Sequence, residues 1–194
     1  LTKRTMLETY LPWSEARGVK VISNTTAMKF FYENGIANEI VLRSDTGEIR
    51  KVKVNKAIIV SGGVISSSHV LMRSGLTGNV GKNMSCNFAF PVTFRFDETI
   101  NAFDGNQITL GALDENNRAI FETYFNPPAA FAMASVPFYF NRREDIMNNY
   151  SKSVNFGALV GSEPNGIIHS KADILNGQAF SWELGNEDRE NIRY

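Results

Sequence analysis

The 194-residue sequence contains one cysteine, Cys86, and two histidines. A single cysteine excludes an intrachain disulfide and any metal site built from several thiolates. The 20 basic side chains balance the 20 acidic ones, and no basic run is present. Electrostatics therefore gives no reason to expect nucleic acid or a membrane surface as a partner. No stretch approaches the roughly 20 consecutive apolar residues that cross a bilayer.

The composition predicts a folded protein. Apolar residues make up 43% of the chain and aromatic residues 11%, which is enough to bury a core. The length fits one domain or two small ones. The chain starts at Leu1 without an initiator Met, and its last residues, from Asn186 on, have the pattern of a helix start. We expect both ends to be cuts in a longer protein, with association possible through apolar surface at the cut edges.

The first part of the chain predicts a helix, a strand and a compact β-meander. Asn34-Gly35 is a strong signal for a two-residue hairpin turn. The predicted elements are a helix at 3–11 and strands at 19–22, 26–33, 40–42 and 49–54.

A strand, glycine turn and helix follow. The continuous apolar run at 57–60 predicts a strand buried on both faces, as in a parallel sheet covered by helices. Gly62-Gly63 comes next, and helical spacing continues to Gly75. Two interpretations of the glycines stay open. They allow backbone N–H groups to approach an anionic ligand, or they form a tight turn with a serine N-cap that needs no ligand.

The second part of the chain predicts an antiparallel, Phe-rich sheet with helical material on one face. Its phenylalanines either pack a core or line an apolar substrate pocket. The predicted elements are a helix at 142–150 and strands at 88–96, 107–113, 118–125, 154–161, 167–172 and 179–184. The fold class is α+β: an α/β-like portion with a β-meander, followed by an antiparallel sheet.

The run at 63–76 resembles the second signature of the glucose–methanol–choline (GMC) oxidoreductases. Val64 and Thr77 depart from that signature, which has a small residue and a closing glycine there. The residues that fit it are Gly63, Ser67, Ser68, Val70, Leu71, Ser74, Gly75 and Leu76. Looser similarities to the family lie at 9–12, 80–84, 162–166 and 176–188.

The resemblance implies that the parent protein is an FAD-dependent oxidoreductase that acts on CH–OH groups of an alcohol or sugar and passes hydride to the flavin. It implies that 1–84 is part of the FAD-binding domain and 85–194 part of the substrate-binding domain, an antiparallel sheet. It places main-chain contacts with FAD at Ala27 and at the turn Ser61, Gly62 and Gly63, with Ser67 behind the turn.

Two features of the family are missing from the sequence. There is no G-x-G-x-x-G run, which holds the dinucleotide pyrophosphate at a helix N-terminus. His69 and His169 do not match the family's catalytic histidine, and we expect both to be structural. We therefore predict no catalytic residue here, no turnover by this chain alone, and weak or absent FAD binding.

Other functions stay open beside this one. A non-catalytic ligand-binding or interaction module is the main alternative, and a flavoprotein of another family is a third. A serine hydrolase is disfavoured because Ser68 and His69 point in different directions on a helix and no G-x-S-x-G run exists. The carboxylates at 144–145 and 187–190 are typical of solvated helix faces, so no metal site is predicted.

Overall fold

The computed structural model describes residues 4–116, 118–134, 140–170 and 179–193. The described residues form two compact units, Thr2–Met84 with Pro164–Glu183, and Ser85–Glu163 with Leu184–Tyr194. The elements are α1 (Tyr10–Glu15), β1 (Thr25–Glu33), β2 (Ile36–Ser44), β3 (Ile49–Lys53), α2 (Gly63–Arg73), β4 (Asn87–Arg95), β5 (Ile108–Leu113), β6 (Ala119–Tyr124), α3 (Pro128–Ala134), α4 (Arg143–Asn148), β7 (Ser153–Gly161), β8 (Ile167–Ile168), β9 (Phe180–Ser181) and α5 (Asn186–Arg193).

The α+β class predicted from the sequence is confirmed. The described strands form an antiparallel β1-β2-β3 meander, an antiparallel sheet of order β4-β7-β6-β5, and a β8-β9 pair. The Asn34-Gly35 turn is also confirmed, since both residues have positive φ (51° and 79°) and join β1 to β2. The last two residues of the strand predicted at 167–172 lie outside the described residues.

Helix α2 packs against β1 and is fixed there at its C-terminal end. Ser74 Oγ accepts a hydrogen bond from the N–H of Phe30 at 2.9 Å and donates to the carbonyl of Val70 at 2.7 Å. Gly75, at φ 86°, ends the helix, and the N–H of Leu76 returns to the carbonyl of Leu71 at 3.1 Å. This is a Schellman closure, which requires a residue that adopts positive φ without strain.

The buried strand predicted at 57–60 is not formed, which corrects the sequence prediction. None of the described strands pairs with this segment, and the Ile59 side chain is 89% exposed. A parallel strand is held by ladders to its neighbours, and every described strand pair is antiparallel. The strand predicted at 19–22 is missing for the same reason.

Helix α1 begins where the sequence predicts a helix to end. Pro12 lies in its first turn. The backbone N–H groups of a first turn have no partner within the helix, so a proline costs little there. Pro12 therefore helps to start the helix and does not interrupt it.

The four-stranded sheet has helices on one face, as predicted. Phe131 of α3 is 1% exposed and packs edge-to-face on Tyr150, with ring centroids 5.2 Å apart. Asn155 of β7, 3% exposed, lies on this face and accepts a hydrogen bond from Thr93 Oγ1 at 2.8 Å. On the opposite face, Phe94 and Phe156 stay at least one-third exposed. Within this chain the second face is an open apolar surface.

No helix in the described ranges has both the length and the apolar character that a membrane crossing requires.

Candidate functional site

The glycine turn lies on the surface at the start of α2. Ser61, Gly62 and Gly63 are exposed, and Gly63 has φ 80°, a conformation that favours glycine. Gly62 occupies the N-cap position, and no side chain caps the helix there. The serine N-cap interpretation is therefore wrong, because the capping residue is a glycine with no side chain to offer.

The surroundings of this turn leave its backbone accessible to a ligand. A Cβ atom added at Gly62 would lie 3.7 Å from the backbone nitrogen of Ser67 and 3.4 Å from Ser66 Cβ, whereas one added at Gly63 would meet nothing within 4 Å. The first turn of α2 carries no acidic residue. The positive end of the helix dipole is consequently open toward solvent and not neutralised from its own turn.

Ser67 lies next to the glycine turn, one turn into the helix. Its side-chain Oγ would be 3.7 Å from a Cβ atom at Gly62. The structure therefore brings the predicted residues Gly62, Gly63 and Ser67 together on one surface.

Ala27 lies on β1, the edge strand that α2 packs against. Phe30 pairs with Ile40, and its N–H points away from β2 to Ser74. Ala27 pairs with Leu42, two residues from Ile40 on β2. Because β1 is an edge strand among the described strands, the side of Ala27 that faces away from β2 is open.

A β-bulge separates Ala27 from the rest of β1. The register shifts between Ala27 and Lys29, which leaves Met28 as the extra residue. Bulges bend a strand and change the direction of its backbone groups, and they are frequent next to binding sites. The sequence analysis predicted a cofactor contact at Ala27 but missed the bulge, for which the sequence carries no local signal.

The two histidines lie in the same unit, and one contacts the main chain of the other. His69 Nε2 is 2.9 Å from the backbone carbonyl of His169. Because a carbonyl only accepts hydrogen bonds, the Nε2 atom carries the proton in this contact. The His69 ring thus connects α2 to the segment that contains β8.

Comparison with known proteins shows which proteins these elements resemble. Residues 2–89 match the model of the GMC oxidoreductases. This part of the chain, just under half of it, resembles the GMC oxidoreductases. An uncharacterized GMC-type oxidoreductase, y4nJ of Sinorhizobium fredii, is 27% identical over 191 residues, which cover 96% of this chain and 37% of y4nJ. The chain thus spans about a third of the length of this GMC relative.

The region that matches the GMC model includes every predicted cofactor contact. Ala27, the turn at 61–63 and Ser67 all fall within residues 2–89. The segment around Ser74 falls there too, and its contact with β1 is a structural role that sequence reasoning missed. The signal was present, since Ser74-Gly75 is one of the fixed pairs in the motif that resembles the GMC signature.

Proposed function

We propose that this chain provides part of the FAD-binding domain, within 1–84, and part of the substrate-binding domain, within 85–194, of an oxidoreductase that acts on CH–OH groups of an alcohol or sugar. The observation that carries the proposal is the exposed Gly62-Gly63 turn, with no side-chain cap and no acidic residue in the first turn of α2. An anionic dinucleotide favours such a helix start because the N–H groups and the dipole attract negative charge.

Backbone groups of this chain would hold the cofactor at two places. The main-chain N–H and C=O of Ala27, on the open edge of β1, suit the hydrogen-bonding edge of an adenine. The turn at Ser61, Gly62 and Gly63 suits close approach by the dinucleotide, and the Ser67 hydroxyl lies behind it. FAD, when bound, supplies the acceptor for hydride. The alcohol or sugar is the small-molecule partner of the parent enzyme.

The chain by itself is expected to be inactive. It has no G-x-G-x-x-G run to hold the pyrophosphate. The His69 ring already bonds a backbone carbonyl, which does not fit the role of a base that accepts the hydroxyl proton. We therefore expect no turnover of alcohols or sugars with an artificial electron acceptor, and FAD affinity too weak to survive gel filtration.

Amide NMR of the 194-residue chain titrated with FAD tests the cofactor site. Shift changes are expected at Ala27, Gly62 and Gly63, and not at Gly47, a turn glycine between β2 and β3 that serves as an internal control. Equal changes at Gly47, or none at the glycine turn, would rule the site out. Protein that stays yellow after gel filtration, with one flavin per chain, would overturn the expected weakness of binding.

A further inference from the structure

The unit formed by Ser85–Glu163 and Leu184–Tyr194 contains an open cavity of about 410 Å³ on the helix-covered face of its sheet. Residues of β4, α3, α4 and β7 line it. Its volume lies near the lower end of the range in which proteins bind small molecules, roughly 300–1,000 Å³. It is lined by none of the residues that form the glycine turn, so nothing in the proposed FAD site explains it.

The charges at the mouth of this cavity are unbalanced. Arg95 Nη1 lies 3.2 and 3.0 Å from the two carboxylate oxygens of Asp145. Arg142 Nη2 is 3.9 Å from Asp145 Oδ2, which is too long for a hydrogen bond. Among the residues that the structure describes, the charged lining consists of two guanidinium groups and one carboxylate, a net charge of +1. An anion is the complementary ligand.

The other polar side chains of the lining already have partners. Thr93 Oγ1 donates to Asn155 Oδ1 at 2.8 Å, and Ser153 Oγ donates to the backbone carbonyl of Asn149 at 3.0 Å. A sugar needs many donors and acceptors that are not already engaged, so these residues suit it poorly. The specific polar contacts of a ligand would come from the arginines.

The remaining lining is apolar and held in place. Pro91, on the same face of β4 as Thr93 and Arg95, and Ile146 of α4 are its accessible apolar residues. Phe131, 1% exposed, supports this lining and is fixed by its edge-to-face contact with Tyr150. Such a surface favours a flat or branched apolar body over a fully hydrated ion. The cavity therefore combines one anion-binding end with one apolar end.

We propose that this cavity binds a small carboxylic acid with an apolar or aromatic body. The carboxylate pairs with the guanidinium of Arg142 and shares that of Arg95 with Asp145, while the body packs on Pro91 and Ile146. Arginine binds carboxylates with two parallel N–H···O bonds, which fixes the orientation of the acid. The proposal does not depend on FAD binding, because the two sites lie in different units.

Titration calorimetry of the 194-residue chain with phenylacetate, acetate and benzyl alcohol tests the two halves of this proposal. Phenylacetate should bind saturably at one site per chain. Acetate lacks the apolar body and benzyl alcohol lacks the charge, so each should bind at least about tenfold more weakly. Equal affinity for benzyl alcohol would show an apolar cavity without anion recognition, and no saturable binding of phenylacetate would end the proposal.

Three variants locate the site. Arg142→Gln should weaken phenylacetate binding about tenfold or more through the lost charge-assisted contact. Arg143→Gln removes the neighbouring arginine, which does not line the cavity, and should leave affinity unchanged. Asp145→Asn removes the carboxylate that competes for Arg95 and should strengthen binding several-fold, a gain that damage to the fold cannot produce. Equal losses in the two arginine variants, or weaker binding by Asp145→Asn, would contradict the proposed geometry.

Discussion

The backbone N–H of Glu163 donates a hydrogen bond to Oδ1 of Asp188 at 2.6 Å, and Asp188 is 1% exposed. The second oxygen of Asp188 accepts from the N–H of Gly185 at 2.8 Å. In return, Oε1 of Glu163 accepts from the N–H of Glu187 at 2.9 Å, in the first turn of α5. Two carboxylates thus connect the end of β7 to the start of a helix whose dipole favours them.

Replacement of Asp188 by Ala is expected to destabilise the fold substantially. It removes two charge-assisted hydrogen bonds and leaves two backbone donors without an acceptor, so we expect a loss of about 2–3 kcal/mol in the free energy of unfolding. Urea denaturation followed by circular dichroism measures it. Glu190→Ala, on an exposed position of the same helix, is the control and should change stability by less than about 0.5 kcal/mol. Similar losses in both variants would contradict the role of Asp188.

Replacement of Gly81 by Ala is expected to be among the costly glycine substitutions. Gly81 has φ 77°, and a Cβ atom there would lie 2.9 Å from the backbone carbonyl oxygen of Ile168, which cannot move aside as a side chain would. We expect the free energy of unfolding to fall by about 2–4 kcal/mol, because the alanine is strained in the left-handed backbone conformation and its Cβ atom is overpacked.

Gly78→Ala separates these two causes. Gly78 has φ 81°, but a Cβ atom there would meet nothing within 4 Å. Only backbone strain destabilises this variant, so we expect the free energy of unfolding, measured by urea denaturation, to fall by about 1–2 kcal/mol. If Gly81→Ala lowers the free energy of unfolding no more than Gly78→Ala does, the close approach of Ile168 does not contribute to the destabilisation.

Replacement of Ser74 by Ala tests the attachment of α2 to β1. The Phe30 N–H would lose its acceptor, and we expect about 1–2 kcal/mol of destabilisation. Hydrogen exchange at the Phe30 amide should accelerate, which a general loss of helix stability would not do selectively. Ser68→Ala is the control, because Ser68 Oγ bonds only the Val64 carbonyl within the helix and its loss should be neutral.

Asp114 should contribute a pH-dependent part of the stability. The N–H of Ala119, with those of Asn116 and Arg118, lowers the pKa of the Asp114 carboxyl below its usual value. A lowered folded-state pKa gives stability that is present above the unfolded-state pKa and lost as pH falls through the folded-state pKa.

Urea midpoints at neutral pH and at acid pH, for the wild type and Asp114→Asn, measure this contribution. The variant should be less stable than the wild type at neutral pH, and the difference should shrink on acidification. A difference that stays constant with pH would show that the ionised carboxylate is not what stabilises the turn between β5 and β6.

Local sequence signals account for much of the first unit. Asn34-Gly35 fixed the hairpin, since few residue pairs adopt positive φ twice. Gly75 ended α2 for a similar reason. In the other unit, the strands of the Phe-rich sheet were predicted from their alternation, because a strand with one covered face has that period.

Long-range pairing explains what the sequence did not reveal. The run at 57–60 has the composition of a buried strand, but a strand exists only where another lies beside it. The bulge at Met28 and the contact between Ser74 and Phe30 likewise depend on neighbours distant in sequence. For the candidate site, a sequence motif predicted the glycine turn. The open strand edge at Ala27 could be identified only from the order and register of the strands in the structure.

Amide hydrogen exchange in the unpaired segment at 57–60 can report whether another strand pairs with it. Apolar backbone that is not paired in a sheet exchanges its amide hydrogens quickly and can pair with a strand of another segment. In the 194-residue chain alone, deuterium should enter the amides of Ile58, Ile59 and Val60 within the earliest time points. Slower uptake at these three positions in a longer protein would report that another strand has been added there.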